Sequence, residues 1–160
     1  MNVPVTLQRL RRQRGSAVVE MAIIAPIAFL LLIGVIEYSI LFYTTLTMQY
    51  AVREGARYAV TGRTDKDPAA SNQQRYLAVV QQIRNSSMGM YDTVNPVISV
   101  NGTSYASTSA YNANMFGNPG DIVVLRLDCT WKLATPLLAV FFPNGEYKFA
   151  VAATMQNEAF

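Results

Sequence analysis

The chain contains no histidine and one cysteine, and only 14% of its 160 residues are charged. Without histidine there is no Ser-His-Asp or Cys-His arrangement, and the usual zinc ligand sets are missing. No cluster of titratable groups offers an acid, a base and a nucleophile together, so the sequence disfavours an enzyme and implies no cofactor, metal or small-molecule substrate. The lone Cys129 rules out an intramolecular disulfide and leaves stability to packing. It is either a small strand residue or a point of intermolecular pairing or lipid attachment. Lipoprotein-type attachment does not fit, because a lipidated cysteine would follow the leader. The net charge of +3 would suggest nucleic acid, but Arg9, Arg11, Arg12 and Arg14 carry it. Without them nine basic residues face ten acidic ones, so no nucleic-acid partner is indicated.

What is present is a long apolar run. From Ser16 to Tyr43 the only ionisable side chains besides tyrosines are Glu20 and Glu37, and between them lies MAIIAPIAFLLLIGVI. A spanning helix needs roughly 20 mostly apolar residues, which the run and its weakly polar flanks supply. The four arginines precede it and no charge follows directly, so the positive-inside bias puts the N-terminus in the cytoplasm and the C-terminal body outside. Glu20 is the anomaly, since a carboxylate at the centre of a membrane helix costs about 2.5–3.5 kcal/mol on insertion scales. Either it lies near enough to the interface to stay wet, or it is retained for a partner. An amine would be such a partner, since an amine and a carboxylate are each costly in the membrane and far less so as a pair.

Arginines, then Gly15, Ser16, AVVE and the apolar run are laid out like a type IV prepilin signal, which a membrane peptidase cuts on the cytoplasmic side; a secretory signal is cut after its apolar core. Further along, the order RGSAVVEMAIIAP, IEYSILFY and AVREGARYAV resembles the TadE-like family, minor pilins or pseudopilins of the tight-adherence (Flp) branch of type IV pili. The resemblance runs from Arg14 to about Val60. PGDIVVLRLDCTWKL and FAVAATMQNEAF are similar to the family's closing strands, and Thr61 to Asn118 carries no matching motif. It implies cleavage between Gly15 and Ser16, which makes Glu20 the fifth residue of the mature chain, and pairing of Glu20 with the α-amino group of Ser16 on a neighbouring subunit. It also implies a bacterial inner-membrane protein whose partners are a prepilin peptidase, other major or minor pilins and the pilus assembly platform. Met21 stands where the major Flp pilins have tyrosine, which argues for a minor pseudopilin.

Three segments are expected: a cytoplasmic leader (1–15) without lasting structure, a transmembrane and spine helix (16–60), and an extracytoplasmic domain (61–160) large enough for a modest core. Pro26 is either an ordinary kink or a weak point used during extraction into a filament. Glu37, beside Tyr38, Phe42 and Tyr43, reads as a wet carboxylate in an aromatic belt or as a contact between subunits. After Tyr43 helical spacing continues through Leu46, Tyr50, Arg53 and Arg57. In AVREGARYAV, Arg53 and Arg57 share a face and Glu54 is placed to pair with Arg57. The small residues around Gly55 either seat the domain on its own helix or form a docking surface for another pilin.

TGRTDKDP reads as a turn, its aspartates as turn and capping residues rather than calcium ligands. Ala69 to about Met88 has helical spacing at Tyr76, Leu77, Val80 and Ile83. Val97–Val100 and Ile122–Leu133 read as strands, with a hairpin at Asn101-Gly102, a turn at 118–121 and a closing antiparallel strand from Glu146 to Gln156. Val123, Leu125, Leu127, Cys129 and Trp131 form the expected core face. Tyr105 and Tyr111 either cover the sheet or serve adhesion. PLLAVFF (136–142) either tucks under the sheet or returns to the membrane or a partner. The fold class is α+β and pilin-like: a long helix and a second helix on a small antiparallel sheet. The expected function is a minor pilin trimmed by a prepilin peptidase, taking part in initiation, tip formation or assembly of a Tad-type pilus for surface adherence. The rival is an unprocessed single-pass protein whose outer domain binds a ligand or scaffolds an envelope complex.

Overall fold

Pro26 and Gly34 alone interrupt the helix-compatible run after Gly15, and a computed structural model carries that run within one α-helix, α1 (Val5–Val60). The structure describes the backbone of residues 5–69 and 73–160, with side chains from Gly15 onward. The helix already begins at Val5, inside the leader expected to hold no lasting structure. Between Thr6 and Arg14 the chain is leucine, glutamine and arginine, all good helix formers, with no glycine or proline to stop them.

The chain divides into two compact units, one through Ser39 and one from Ile40 on. In the first, no side chain from Gly15 to Ile36 is buried. The stretch is apolar all round, and it belongs to the one helix among the described residues long and apolar enough to cross a membrane. Glu37 departs from the expected wet carboxylate: it is only 5% exposed.

In the second unit α1 becomes two-sided. Met48, Ala51, Val52, Ala56 and Ala59 are buried, whereas Leu46, Tyr50, Arg53 and Arg57 face out. The helical spacing read from the sequence is therefore correct, and the stripe it picks out is the outer one. The inner stripe packs with a second helix, α2 (Arg75–Ser86), and a sheet in one core.

Helix α2 is shorter than expected and rotated, burying Ala78, Val79 and Ile83 while Leu77 stays outside the core. Its start is set by Asp67, whose carboxylate accepts from the amides of Ala69 (2.9 Å) and Gln74 (2.7 Å) and so closes the preceding loop. A short helix absent from the sequence reading, α3 (Met90–Val94), follows a turn in which Met88 and Gly89 have φ of 51° and 84°.

The sheet has strands β1 (Val97–Val100), β2 (Thr103–Tyr105), β3 (Ile122–Lys132) and β4 (Glu146–Gln156), all antiparallel and ordered β2-β1-β3-β4. Its registers follow from chemistry already in the sequence. Asn101 and Gly102 take positive φ (49° and 82°), as a tight hairpin requires. The Asn101 side chain then bonds the amide of Val124 (2.8 Å) and the carbonyl of Ile122 (3.2 Å), fixing the hairpin to β3. Strand β3 alternates as its pattern predicts, with Val123, Leu125, Leu127 and Cys129 inward and Trp131 half-buried. It pairs with β4 along its whole length, from Ile122–Gln156 to Lys132–Glu146. Tyr105 and Tyr111 lie half-buried on the core with their rings edge to face at 6.3 Å, the sheet-covering alternative. Between β3 and β4, residues Pro136–Ala139 form a short helical turn, α4, with no buried residue.

Candidate functional site

The residues singled out from the sequence fall into two places on α1. Near its N-terminal end Gly15, Ser16 and Glu20 are exposed, and the Ser16 hydroxyl donates to Glu20 Oε1 at 3.1 Å. Residues four apart share a helix face, and side chains lean toward the helix N-terminus, so the carboxylate reaches back to Ser16 rather than out into its surroundings. Among the described residues no atom beyond the helix's own backbone and the neighbouring residues lies within 4 Å of where a Cβ on Gly15 would stand, so nothing described requires glycine there.

The second place is the block Ala51–Val60. Its small residues meet the chain's own α2: a Cβ on Gly55 would stand 2.2 Å from Ile83 Cγ1, inside contact distance. Gly55, with buried Ala51, Ala56 and Ala59, therefore lets two helices of one unit approach closely. Arg53 and Arg57 face out, and Glu54 is half-buried. Ion pairs among the described residues include Arg63–Asp65, Arg84–Asp92 and Arg126–Asp128, with none between Glu54 and Arg57. The outer stripe of α1 thus combines two large apolar side chains, Leu46 and Tyr50, with two cations.

Two polar clusters hold the C-terminal end of α1 in place. Tyr58 donates to Asp65 Oδ1 (3.0 Å) and accepts from the Lys66 amide (3.2 Å), and Arg63 grips the same carboxylate. Burial pushes the Tyr58 hydroxyl above its usual range. Desolvation pushes Asp65 up, but the hydrogen bonds from Tyr58 and Arg63 outweigh it and hold the carboxyl below the ordinary value. Asp65 and Asp67 are therefore occupied as turn and loop-closing residues, and α2 has no side-chain cap.

The other cluster centres on Arg75, a residue the sequence did not single out. Its guanidinium donates to the carbonyls of Ala59 (2.7 and 3.0 Å), Gly117 (2.8 Å) and Phe116 (3.3 Å) and to Asn157 Oδ1 (3.0 Å). Burial lowers its pKa from the usual guanidinium value. It covers a last-turn carbonyl of α1, where a cation also complements the helix dipole. Asn157 extends the lock by donating to the carbonyls of Phe116 and Asn118, both at 2.8 Å, and the Glu158 amide donates to Val60 at 3.0 Å. Only an arginine at the start of a helix hinted at this, because its partners lie 16 to 82 positions away.

Cys129 is buried, 2% exposed, and burial together with Asp128 pushes its thiol up to about 12. That is the small strand residue of the sequence reading.

No curated protein and no solved structure matches the chain. The model of the TadE-like protein family matches residues 15–57, which include Gly15, Ser16, Glu20, Arg53, Glu54, Gly55 and Arg57. The resemblance seen near the C-terminus lies outside that match. Over residues 15–57 the chain is thus similar to TadE-like proteins.

Proposed function

We propose that the protein is a minor pilin or pseudopilin: held in the bacterial inner membrane with its N-terminus inside, trimmed between Gly15 and Ser16 by a prepilin peptidase, and joined through α1 to other pilins during initiation, tip formation or assembly of a Tad-type pilus used for adherence. The observation that carries this reading is the TadE-like match beginning at Gly15, on a stretch of α1 whose only ionisable side chain from Gly15 to Ile36 is Glu20. Trimming frees the amine of Ser16. Glu20 lies one turn further along the same face, with the Ser16 hydroxyl filling one acceptor position of its carboxylate. A neighbouring subunit's amine then supplies the counter-charge that makes the carboxylate tolerable in hydrocarbon. In this reading Arg53, Arg57, Leu46 and Tyr50 form the outward stripe available to other pilins.

Gly15→Ala is the direct test. The position is open, and alanine favours the helix by about 1 kcal/mol, so the variant folds and only the peptidase loses its substrate. The expected product is a chain heavier by the leader on intact-mass analysis; a mature mass equal to that of the unsubstituted protein would remove the cleavage site. Glu20→Ala is expected to be trimmed normally but recovered poorly in sheared filaments, and full recovery would end the charge-pairing role.

One observation favours the rival reading, an anchored protein that keeps its leader and scaffolds an envelope complex: α1 runs unbroken from Val5 across Gly15, so cutting requires that turn to unwind. The N-terminal residue of protein isolated from membranes, Met1 or Ser16, separates the two.

A further inference from the structure

The connector between β3 and β4 is an exposed apolar group of the second unit, where Leu137, Val140, Phe141 and Phe142 are 51, 83, 76 and 37% exposed. From Leu133 to Gly145 this connector carries no charge; Lys132 and Glu146, paired across β3 and β4, flank it, and exposed Lys148 follows two residues on. Phe142 packs edge to face on Tyr147 at 6.2 Å, and Tyr147 stacks on Phe149 at the same distance. Aromatic rings beside an apolar tip, with lysines at its base, are the composition of a membrane-interface element.

Its place in the unit points the same way. Two bonds tie β4 and the tail after it to α1: Gln49 Nε2 donates to the Ala152 carbonyl at 3.0 Å, and the Glu158 amide donates to the Val60 carbonyl at 3.0 Å. Between these ties the helix advances about 16 Å and the strand about 20 Å, so β4 runs alongside α1 in the same direction. Traced back from the first tie, about 14 Å of helix leads to Ile40 and about 20 Å of strand leads to Glu146. The connector therefore stands at the end of the unit where the chain comes in from the apolar run, and the Val60 end lies about 30 Å away.

We infer that this connector is a second membrane contact, with Leu137, Val140, Phe141 and Phe142 inserted at the headgroup and acyl boundary of the leaflet from which α1 emerges. Exposed Lys132 and Lys148, on either side of Glu146 at the base of the tip, face the phosphates, and the rings of Tyr147 and Phe149 lie at headgroup level. The second unit is thereby held by two points, its helix and this tip, which restricts its rotation about α1. The inference rests on the membrane anchor of the proposed function and not on trimming at Gly15, so the two fail separately.

The test uses the full chain in nanodiscs of phosphatidylcholine and phosphatidylglycerol, loaded at one chain per disc. Val140→Cys and, at the opposite end, Ala159→Cys are each labelled with an environment-sensitive fluorophore; buried Cys129 stays unlabelled, and its continued protection shows that each variant is folded. The expected result is blue-shifted emission at position 140, with quenching by doxyl-labelled lipid severalfold stronger than at position 159. Equal, weak quenching at both positions overturns the inference. So does a blue shift at position 140 without lipid quenching, the sign of cover by protein. If Val140→Cys loses Cys129 protection, Leu137→Cys takes its place and is read in the same way.

Discussion

Between Gly15 and Ile36 no side chain of α1 is buried, whereas from Thr44 to Val60 one whole face of the same helix is. The backbone is identical and the surroundings are not. In the first stretch apolar residues occupy every direction, and the helix satisfies its own hydrogen bonds, which suffices in lipid. In the second, small and apolar residues fall on one side and Leu46, Tyr50, Arg53 and Arg57 on the other, and the helix depends on what α2 and the sheet bring to it. The difference shows that one continuous element can be specified by two unrelated rules: hydrophobicity without direction, then hydrophobicity with a face.

The comparison breaks most visibly at Arg75. Arg75→Met removes the donors to Ala59, Gly117 and Asn157 and leaves those acceptors without partners, at an expected cost of about 3 kcal/mol to the second unit and nothing to membrane insertion. Denaturant titration of the full chain in micelles, scored by exposure of Cys129, measures this. Arg75→Lys is expected to recover little, because a point charge cannot reach in three directions as the planar fork does.

A pair of glycine substitutions sharpens the contrast. Gly34→Ala meets no atom within 4 Å and is expected to be neutral or stabilising by up to about 1 kcal/mol. Gly55→Ala drives a methyl into Ile83 and is expected to cost about 1–3 kcal/mol in the same titration. Adding Ile83→Ala should relieve the clash, so that the double variant costs less than the sum of the two singles. Equal effects at Gly34 and Gly55 would mean that the second half of α1 is not held by close packing.

The smallest effect is kinetic. With its thiol pushed up to about 12 and its side chain buried, Cys129 is expected to resist alkylation at neutral pH until the unit opens. Labelling at the rate of a free thiol in native conditions would contradict the packing described for β3.

Much of this was legible beforehand because it rests on local chemistry. Strand β4 and the hairpin at Asn101-Gly102 came out at their expected positions, and β3 ends one residue early, at Lys132. Alternation and turn residues act over a few positions and need no distant partner. Helix α2 shows the limit: its spacing suggested Leu77 for the core, but the buried side is set by Gly55 across from Ile83, a contact no window of sequence contains. Phe116, fully buried, comes from the stretch without any motif, and the Arg75–Asn157 lock joins residues 82 apart. Of the candidate residues, the nearness of Ser16 to Glu20 was readable as a four-residue interval, and the seating of the domain on its own helix around Gly55 was one of two readings, but Ile83 as its partner was not readable.

By itself the sequence determined the long apolar helix, the outline of the sheet and the face of β3, because hydrophobicity, helical period and strand alternation are properties of neighbouring residues. Which side of α1 is covered, which residue closes its C-terminal end, and that residues 136–142 stand exposed at the end where the chain enters the unit were decided by tertiary structure alone. The reason is physical: burial and hydrogen-bond satisfaction belong to pairs of surfaces, and a surface acquires its partner only when the chain has folded back upon itself.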